Sequence, residues 1–211
     1  MKGLFITFEG NDGAGKSTQI RFLAEYLRTL GLDVLTTREP GGCEISEKIR
    51  EILLDVTNAG MVAKTEALLY AAARAQHVAE VIVPALESGK IVICDRFIHS
   101  SLAYQGYGRK LGYDAIMDIN RFACGSCMPD KTFFLQITAE AAFKRMNENK
   151  VHDRLESEGD TFHDAVYFGF LDIIKKHGEN IILIDASGQK AETHDKIKTE
   201  MDKILKNAGI I

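Results

Sequence analysis

Eight residues near the start of the chain, Gly10-Asn11-Asp12-Gly13-Ala14-Gly15-Lys16-Ser17, fill the pattern G-x-x-x-x-G-K-[ST] completely. Glycines at these positions let the backbone curl so that successive N–H groups point at phosphate oxygens. A helix that follows presents its positive end to the same anion. Lys16 is then placed for the β- and γ-phosphates, and the Ser17 hydroxyl for Mg²⁺. An apolar run precedes the motif and an amphipathic stretch follows it, which is the context such a loop requires. The expectation is a nucleoside triphosphate site over Gly10 to Ser17, with Thr18 continuing into the helix.

Triphosphate binding alone does not fix the reaction. A guanine-reading N/T-K-x-D run is absent, because Asn149-Lys150-Val151-His152-Asp153 has one residue too many. A kinase with a phosphorylated acceptor needs further cations, since two anions must meet in line. Arg38 and Arg96 follow the ends of strand-like runs, where ligands gather in open α/β sheets. Arg50 and Arg74 fall in helical patterns, and Arg145 and Arg154 flank a charged stretch. Asp95-Arg96 directly ends an apolar run. That pair suits a Mg²⁺-associated carboxylate beside a phosphate clamp, so Ser17 and Asp95 are the candidate metal ligands.

These residues need a scaffold, and the hydrophobic pattern supplies one. Apolar runs at Leu4–Phe8, Val34–Thr37, Ile91–Cys94, Thr132–Ile137 and Ile181–Ile184 predict five strands, most of them buried on both faces. Ile20, Leu23, Leu27 and Leu30 mark a helix stopped by Gly31. Ala67–Leu86 predicts a long helix that Pro84 kinks or interrupts. Further helices are predicted around Phe162–Ile173, closing near Gly178, and over about 191–206. Strand–helix alternation implies a doubly wound parallel sheet in one domain spanning residues 1–211. Residues 147–160, charged and poor in apolar anchors, read as a mobile surface loop.

Composition excludes several classes. The chain has 211 residues, with 26 basic and 30 acidic side chains and a formal charge of −4. A nucleic-acid binder would show a basic excess or stripe. No apolar run approaches the roughly 18–20 residues that span a bilayer. The N-terminus reads as a first strand, not a leader, and the expected compartment is the cytoplasm. Cys124 and Cys127 form a lone C-x-x-C with no second pair at zinc-site spacing, and are read as reduced side chains near a helix end.

Six ordered motifs together resemble the thymidylate kinase family over nearly the whole chain. They are Phe8-Glu9-Gly10 running into Asp12–Thr18; Thr37-Arg38-Glu39-Pro40-Gly41-Gly42; Leu69–His77; Asp95–Gly106; Asp153-Arg154-Leu155-Glu156; and Asp185-Ala186-Ser187. The resemblance implies a three-layer α/β/α P-loop fold with a five-stranded parallel sheet and a short lid over about 145–160. It implies transfer of the γ-phosphoryl group of ATP to dTMP with Mg²⁺, in a homodimer. Asp12 and Glu9 would lie near the acceptor and the metal. Arg74 and Arg96 would hold the acceptor phosphate, with Glu39 in the same subsite. Tyr70 would stack on the pyrimidine. Arg50, Ser101 and Gln105 would face its polar edge, and Tyr104 would exclude a 2′-hydroxyl. Because Asn11 and Asp12 carry no positive charge, the lid must supply the catalytic cation, with Lys150 and Arg154 as candidates. The chain departs from the family pattern with Lys150 in place of an arginine, Cys43 and Ser46 after the Pro40-Gly41-Gly42 turn, Phe97 after Asp95-Arg96, and Phe170 in the later helix. Two alternatives stay open at this point: a kinase for another acceptor, or a non-catalytic ATP-binding switch.

Overall fold

A computed structural model describes residues 3–137 and 153–211. Five strands form one sheet: β1 (Leu4–Glu9), β2 (Val34–Arg38), β3 (Ile91–Asp95), β4 (Lys131–Gln136) and β5 (Ile181–Asp185). All pairings are parallel, in the order β2-β3-β1-β4-β5. The described helices are α1 (Lys16–Thr29), α2 (Glu44–Leu54), α3 (Ala63–His77), α4 (Val83–Glu87), α5 (Ile98–Ser101), α6 (Tyr113–Cys124), α7 (Asp160–His177) and α8 (Lys190–Asn207). Each predicted strand appears within a residue of its expected bounds. The central strand β1 is buried throughout, whereas the edge strands β2 and β5 are only partly buried. Only the middle of the sheet is covered fully on both faces, which is why its runs are the most continuously apolar.

The period-two alternation of each strand feeds two cores. Val92 and Cys94 of β3 pack with Phe97, Leu102, Ile116 and Phe170 on the side of α6 and α7. Ile91 and Ile93 pack with Leu23, Leu27, Ile197 and Met201 on the side of α1 and α8. The result is the three-layer α/β/α arrangement expected from the sequence.

The interruption predicted at Pro84 takes a definite form. Helix α3 passes through a π turn at Val78–Ile82 and resumes as α4, with Pro84 in its first turn. Proline offers no N–H to the carbonyl four residues back, and the wider turn absorbs that loss. A second π turn, Leu102–Gly108, extends α5; the sequence gives no periodicity signal for it. Among the described residues, no helix is long and apolar enough to cross a membrane. Cys124 ends α6, buried, and the Cys127 N–H bonds its carbonyl at 3.0 Å.

β1, β2 and β3 stand side by side, with Phe8 and Arg38 both in register with Asp95. Their carboxyl ends therefore deliver the phosphate loop, the Glu39-Pro40 turn and Arg96 to one edge. Connections leave the sheet in opposite directions from this edge, and such a switch point opens a crevice.

Candidate active site

The crevice is an open cleft of about 690 Å³. Its first half is the loop after β1. Gly10 has φ +131°, and a Cβ there would lie 2.5 Å from the Leu135 carbonyl of β4, so only glycine lets the loop leave the sheet here. Gly15, at φ +89°, precedes α1 and has no side chain to cap it. The first-turn N–H groups of α1 are thereby left to an anion.

Lys16 lies back along this loop, its Nζ donating to the carbonyls of Gly10 at 2.9 Å and Asn11 at 3.0 Å. Burial, then repulsion from Arg96, pushes its ammonium down to about 8 against the pull of Asp12, Asp95 and Glu9. The Ser17 hydroxyl donates to Asp95 Oδ2 at 2.9 Å. The other oxygen, Asp95 Oδ1, is buried and accepts no hydrogen bond from the described residues. Such an orphan acceptor beside a hydroxyl is the donor chemistry of a hard, oxygen-seeking cation.

Arg96 occupies the left-handed region at φ +66°, a conformation that costs a non-glycine residue energy. The turn aims its guanidinium back across the loop. Nη1 donates to the Gly10 carbonyl at 3.2 Å and to Ser100 Oγ at 3.0 Å, and Nη2 donates to Asp12 Oδ1 at 2.7 Å. Burial raises the Asp12 carboxyl, but Arg96 and Lys16 outweigh it and hold Asp12 well below the usual carboxylate range. The Tyr104 hydroxyl donates to Asp12 Oδ2 at 3.1 Å. Glu9 is completely buried behind this group. Its Oε1 accepts the N–H groups of Phe97 at 2.8 Å and Ser100 at 3.1 Å, so a strand residue caps α5 and holds the Arg96 turn in place.

The second half of the cleft centres on Arg74 of α3. Its Nε donates to Glu39 Oε2 at 2.6 Å, and its Nη1 donates to Ser101 Oγ at 2.9 Å and to Asn120 Oδ1. The guanidinium stacks over Phe97 at 5.0 Å. His77 Nδ1 meets Glu39 Oε1 at 2.9 Å, and its Nε2 meets Thr37 Oγ1 at 2.7 Å. Four buried or half-buried groups thus fix one guanidinium at the floor. Tyr70 stands on the wall, its phenol pushed up by burial. Arg50 reaches from α2 to the Pro40 carbonyl at 2.8 Å. Gln105, on the π turn, donates from Nε2 to Glu66 Oε1 at 2.9 Å.

A glycine-lined anion cradle and a buried guanidinium pocket therefore share one cleft, with Arg96 between them. The Thymidylate kinase family profile matches residues 8–197. The chain belongs to the thymidylate kinase family. It is 52% identical over 192 residues to the thymidylate kinase of Bacillus velezensis, covering 90% of this chain and 91% of that one. It is 46% identical over 212 residues to that of Bacillus pumilus, covering 100% of each. The crystal structure of thymidylate kinase from Ehrlichia chaffeensis superposes with a TM-score of 0.77 at 33% identity, covering 96% of this chain and 99% of that one.

Most residues that the thymidylate kinase resemblance singled out meet at the cleft. Asp12, Gly13, Gly15, Lys16, Ser17, Thr18, Glu39, Arg50, Tyr70, Arg74, Asp95, Arg96, Ser101, Tyr104 and Gln105 line it. Arg154 stands elsewhere. Expected over the phosphates, it is turned inward and only 5% exposed. Its Nε donates to the Leu53 carbonyl at 2.8 Å, and its Nη2 lies 2.7 Å from Glu66 Oε2, off hydrogen-bond alignment. The expected lid falls partly outside the described residues, and Arg145 and Lys150 are among those excluded. Sequence reasoning missed Glu66, Asn120 and the support that His77 gives Glu39. His77 lay inside a quoted motif and could have been found; Glu66 looked like any charge on a helix.

Proposed function

We propose that this chain transfers the γ-phosphoryl group of ATP to dTMP, giving dTDP and ADP. One observation carries the reading: the loop over Gly10–Ser17 and the Arg74 pocket open into a single cleft, bridged by Arg96. ATP phosphates would lie on the loop N–H groups, where Lys16 exchanges its two carbonyl partners for phosphate oxygens. The dTMP phosphate would meet Arg96 and Arg74, and its base would lie between Tyr70 and the polar edge formed by Arg50, Ser101 and Gln105. Tyr104, tied to Asp12, would stand close to the sugar. Arg96 is placed to follow charge from acceptor to transferred group, which is where such transfer needs stabilisation.

Ser17 Oγ and the Asp95 carboxylate would hold Mg²⁺, and Asp95 Oδ1, which has no hydrogen-bond partner among the described residues, supports that pairing. When bound, the ion neutralises charge on the triphosphate oxygens. Lys150 is the proposed lid cation. Arg154, paired with Glu66, suits an anchor for the base of the lid better than the cation over the phosphates.

The proposal extends to one nucleotide-kinase domain over residues 1–211, a cytoplasmic location, no nucleic-acid or membrane partner, and a homodimer. Family membership supports the dimer, as do Leu68 on α3 and Phe122 on the adjoining α6, which are 58% and 94% exposed. A coupled ADP-release assay with ATP, Mg²⁺ and a panel of nucleoside monophosphates tests the reading. Strong preference for dTMP is expected. Preference for another monophosphate would replace the acceptor, and ATP binding without transfer to any would leave a binding protein.

A further inference from the structure

Helix α3 carries a carboxylate that phosphoryl transfer does not use. Glu66 is completely buried. Its Oε1 accepts from Gln105 Nε2 at 2.9 Å and from Arg109 Nε at 3.2 Å. Its Oε2 accepts from Arg109 Nε at 3.1 Å and lies 3.0 Å from Arg109 Nη2 and 2.7 Å from Arg154 Nη2. Burial alone pushes this carboxyl up; the hydrogen bonds from Arg109 and Gln105, together with the adjacent Arg154 guanidinium, outweigh burial and hold it below the usual carboxylate range.

An ionised carboxylate only accepts hydrogen bonds. Gln105 must therefore turn its –NH2 toward Glu66, which leaves the amide oxygen on the opposite side. Gln105 lines the cleft together with Ser101 and Tyr70, and no described residue donates to its Oε1. We infer that Glu66 is a positioning residue that locks the Gln105 amide with its oxygen toward the acceptor base. The site then takes a base whose facing ring nitrogen carries a hydrogen, as in thymine or uracil, and rejects one whose ring nitrogen is bare, as in cytosine. The inference rests on the reading of the cleft as a nucleoside monophosphate kinase site.

The rejection comes from the far side of the amide. To donate to cytosine, Gln105 would rotate by half a turn and set its oxygen against Glu66 Oε1, two acceptors about 2.9 Å apart. The buried carboxylate would also lose one of its donors. Without that rotation, the amide oxygen faces the bare ring nitrogen of cytosine, again acceptor against acceptor. Discrimination of this kind works by penalising the wrong partner. The two arginines contribute by keeping Glu66 charged, so that it cannot donate.

The first test needs no mutation. Wild-type protein is titrated calorimetrically with dTMP, dCMP and 3-deaza-dCMP, in which C–H replaces the bare ring nitrogen. A locked amide oxygen makes the analogue bind more tightly than dCMP, on the order of tenfold, because the acceptor–acceptor contact is gone. Weaker binding of the analogue would mean that Gln105 turns to donate, which overturns the inference alone. If none of the three nucleotides binds, the reading of the cleft fails and takes the inference with it. The second test is Glu66→Gln, whose amide can donate or accept. It should erase or reverse the analogue's advantage and lower the dTMP:dCMP ratio of kcat/KM by about tenfold, chiefly through KM. In a Gln105→Met background the same change should leave the ratio unaltered. An unaltered ratio in the single variant, or an equal shift in the Met background, would show that Glu66 does not act through Gln105. If Glu66→Gln does not fold, the sign of the wild-type analogue comparison decides the question.

Discussion

Replacing Lys16 by methionine should slow phosphoryl transfer severely and, at neutral pH, make the protein more stable. Lys16 is 7% exposed, and its ammonium is pushed from an ordinary value near 10.5 down to about 8, burial being the largest cause. Each pH unit of that displacement is worth about 1.4 kcal/mol, so the charged form weakens the folded state by about 3 kcal/mol. Methionine removes the charge at similar volume. It also takes donors from the carbonyls of Gly10 and Asn11, at about 1 kcal/mol each, part of which its own apolar burial offsets. The net expectation is stabilisation by about 1–2 kcal/mol at pH 7 in denaturant unfolding. The sign with pH follows from the folded value lying below the unfolded one. The penalty is complete below about pH 8 and fades as pH rises from 8 toward 10.5. The variant's advantage should therefore shrink over that window. Transfer should fall on the order of 10²–10³-fold, the usual consequence of losing one such donor. A variant less stable at pH 7, or an advantage that does not change between pH 7 and 10, would refute the argument that burial of this charge stores the free energy.

Arg74→Ala should weaken dTMP binding about 10–100-fold while leaving ATP binding within a few-fold, measured by titration calorimetry. It should also lower stability by about 3 kcal/mol, because Glu39 loses its buried partner. Equal losses for both nucleotides would move Arg74 out of the acceptor subsite. Asp95→Asn should raise the Mg²⁺ concentration for half-maximal activity about tenfold, read from a metal titration of the rate. An unchanged titration would remove Asp95 from the metal site. Gly10→Ala should destabilise by at least about 2 kcal/mol in denaturant unfolding, since the new Cβ meets the Leu135 backbone at 2.5 Å. Phe122→Glu should convert dimer to monomer in sedimentation equilibrium, and a persistent dimer would place the interface elsewhere.

The readable parts of this molecule were those written locally. The phosphate loop is consecutive in sequence, and the central strands are apolar because both faces are covered, so each announced itself in a short window. Asp95-Arg96 was legible because two charges ending an apolar run have little else to do at a sheet edge. Contacts between distant segments left no comparable trace. Glu9 capping α5 joins residues 88 and 91 positions apart, and Glu66 meets Gln105 across 39 positions. A carboxylate on an Ala-rich helix looks the same in sequence whether it faces water or a pair of arginines. Arg154 is a related case: a cation beside a charged loop invites a role over phosphate, and sequence carries no sign that its side chain lies inward against Glu66. The π turn at Leu102–Gly108 stayed hidden because so short a run, with two glycines among its seven residues, shows no clear period.

That turn has a bearing on how the site can diversify. A π turn holds one residue more than α-helical geometry would use. Deleting a single residue at Leu102 or Ala103 would let the turn relax to α geometry while the chain beyond Gly108 keeps its place, because the wide turn had absorbed that residue. Tyr104 and Gln105, which lie inside the turn, would be re-aimed relative to Ser101, although neither had been substituted. Relatives could thus alter which base they accept through a change in chain length, and comparisons made only between aligned residue identities would overlook it.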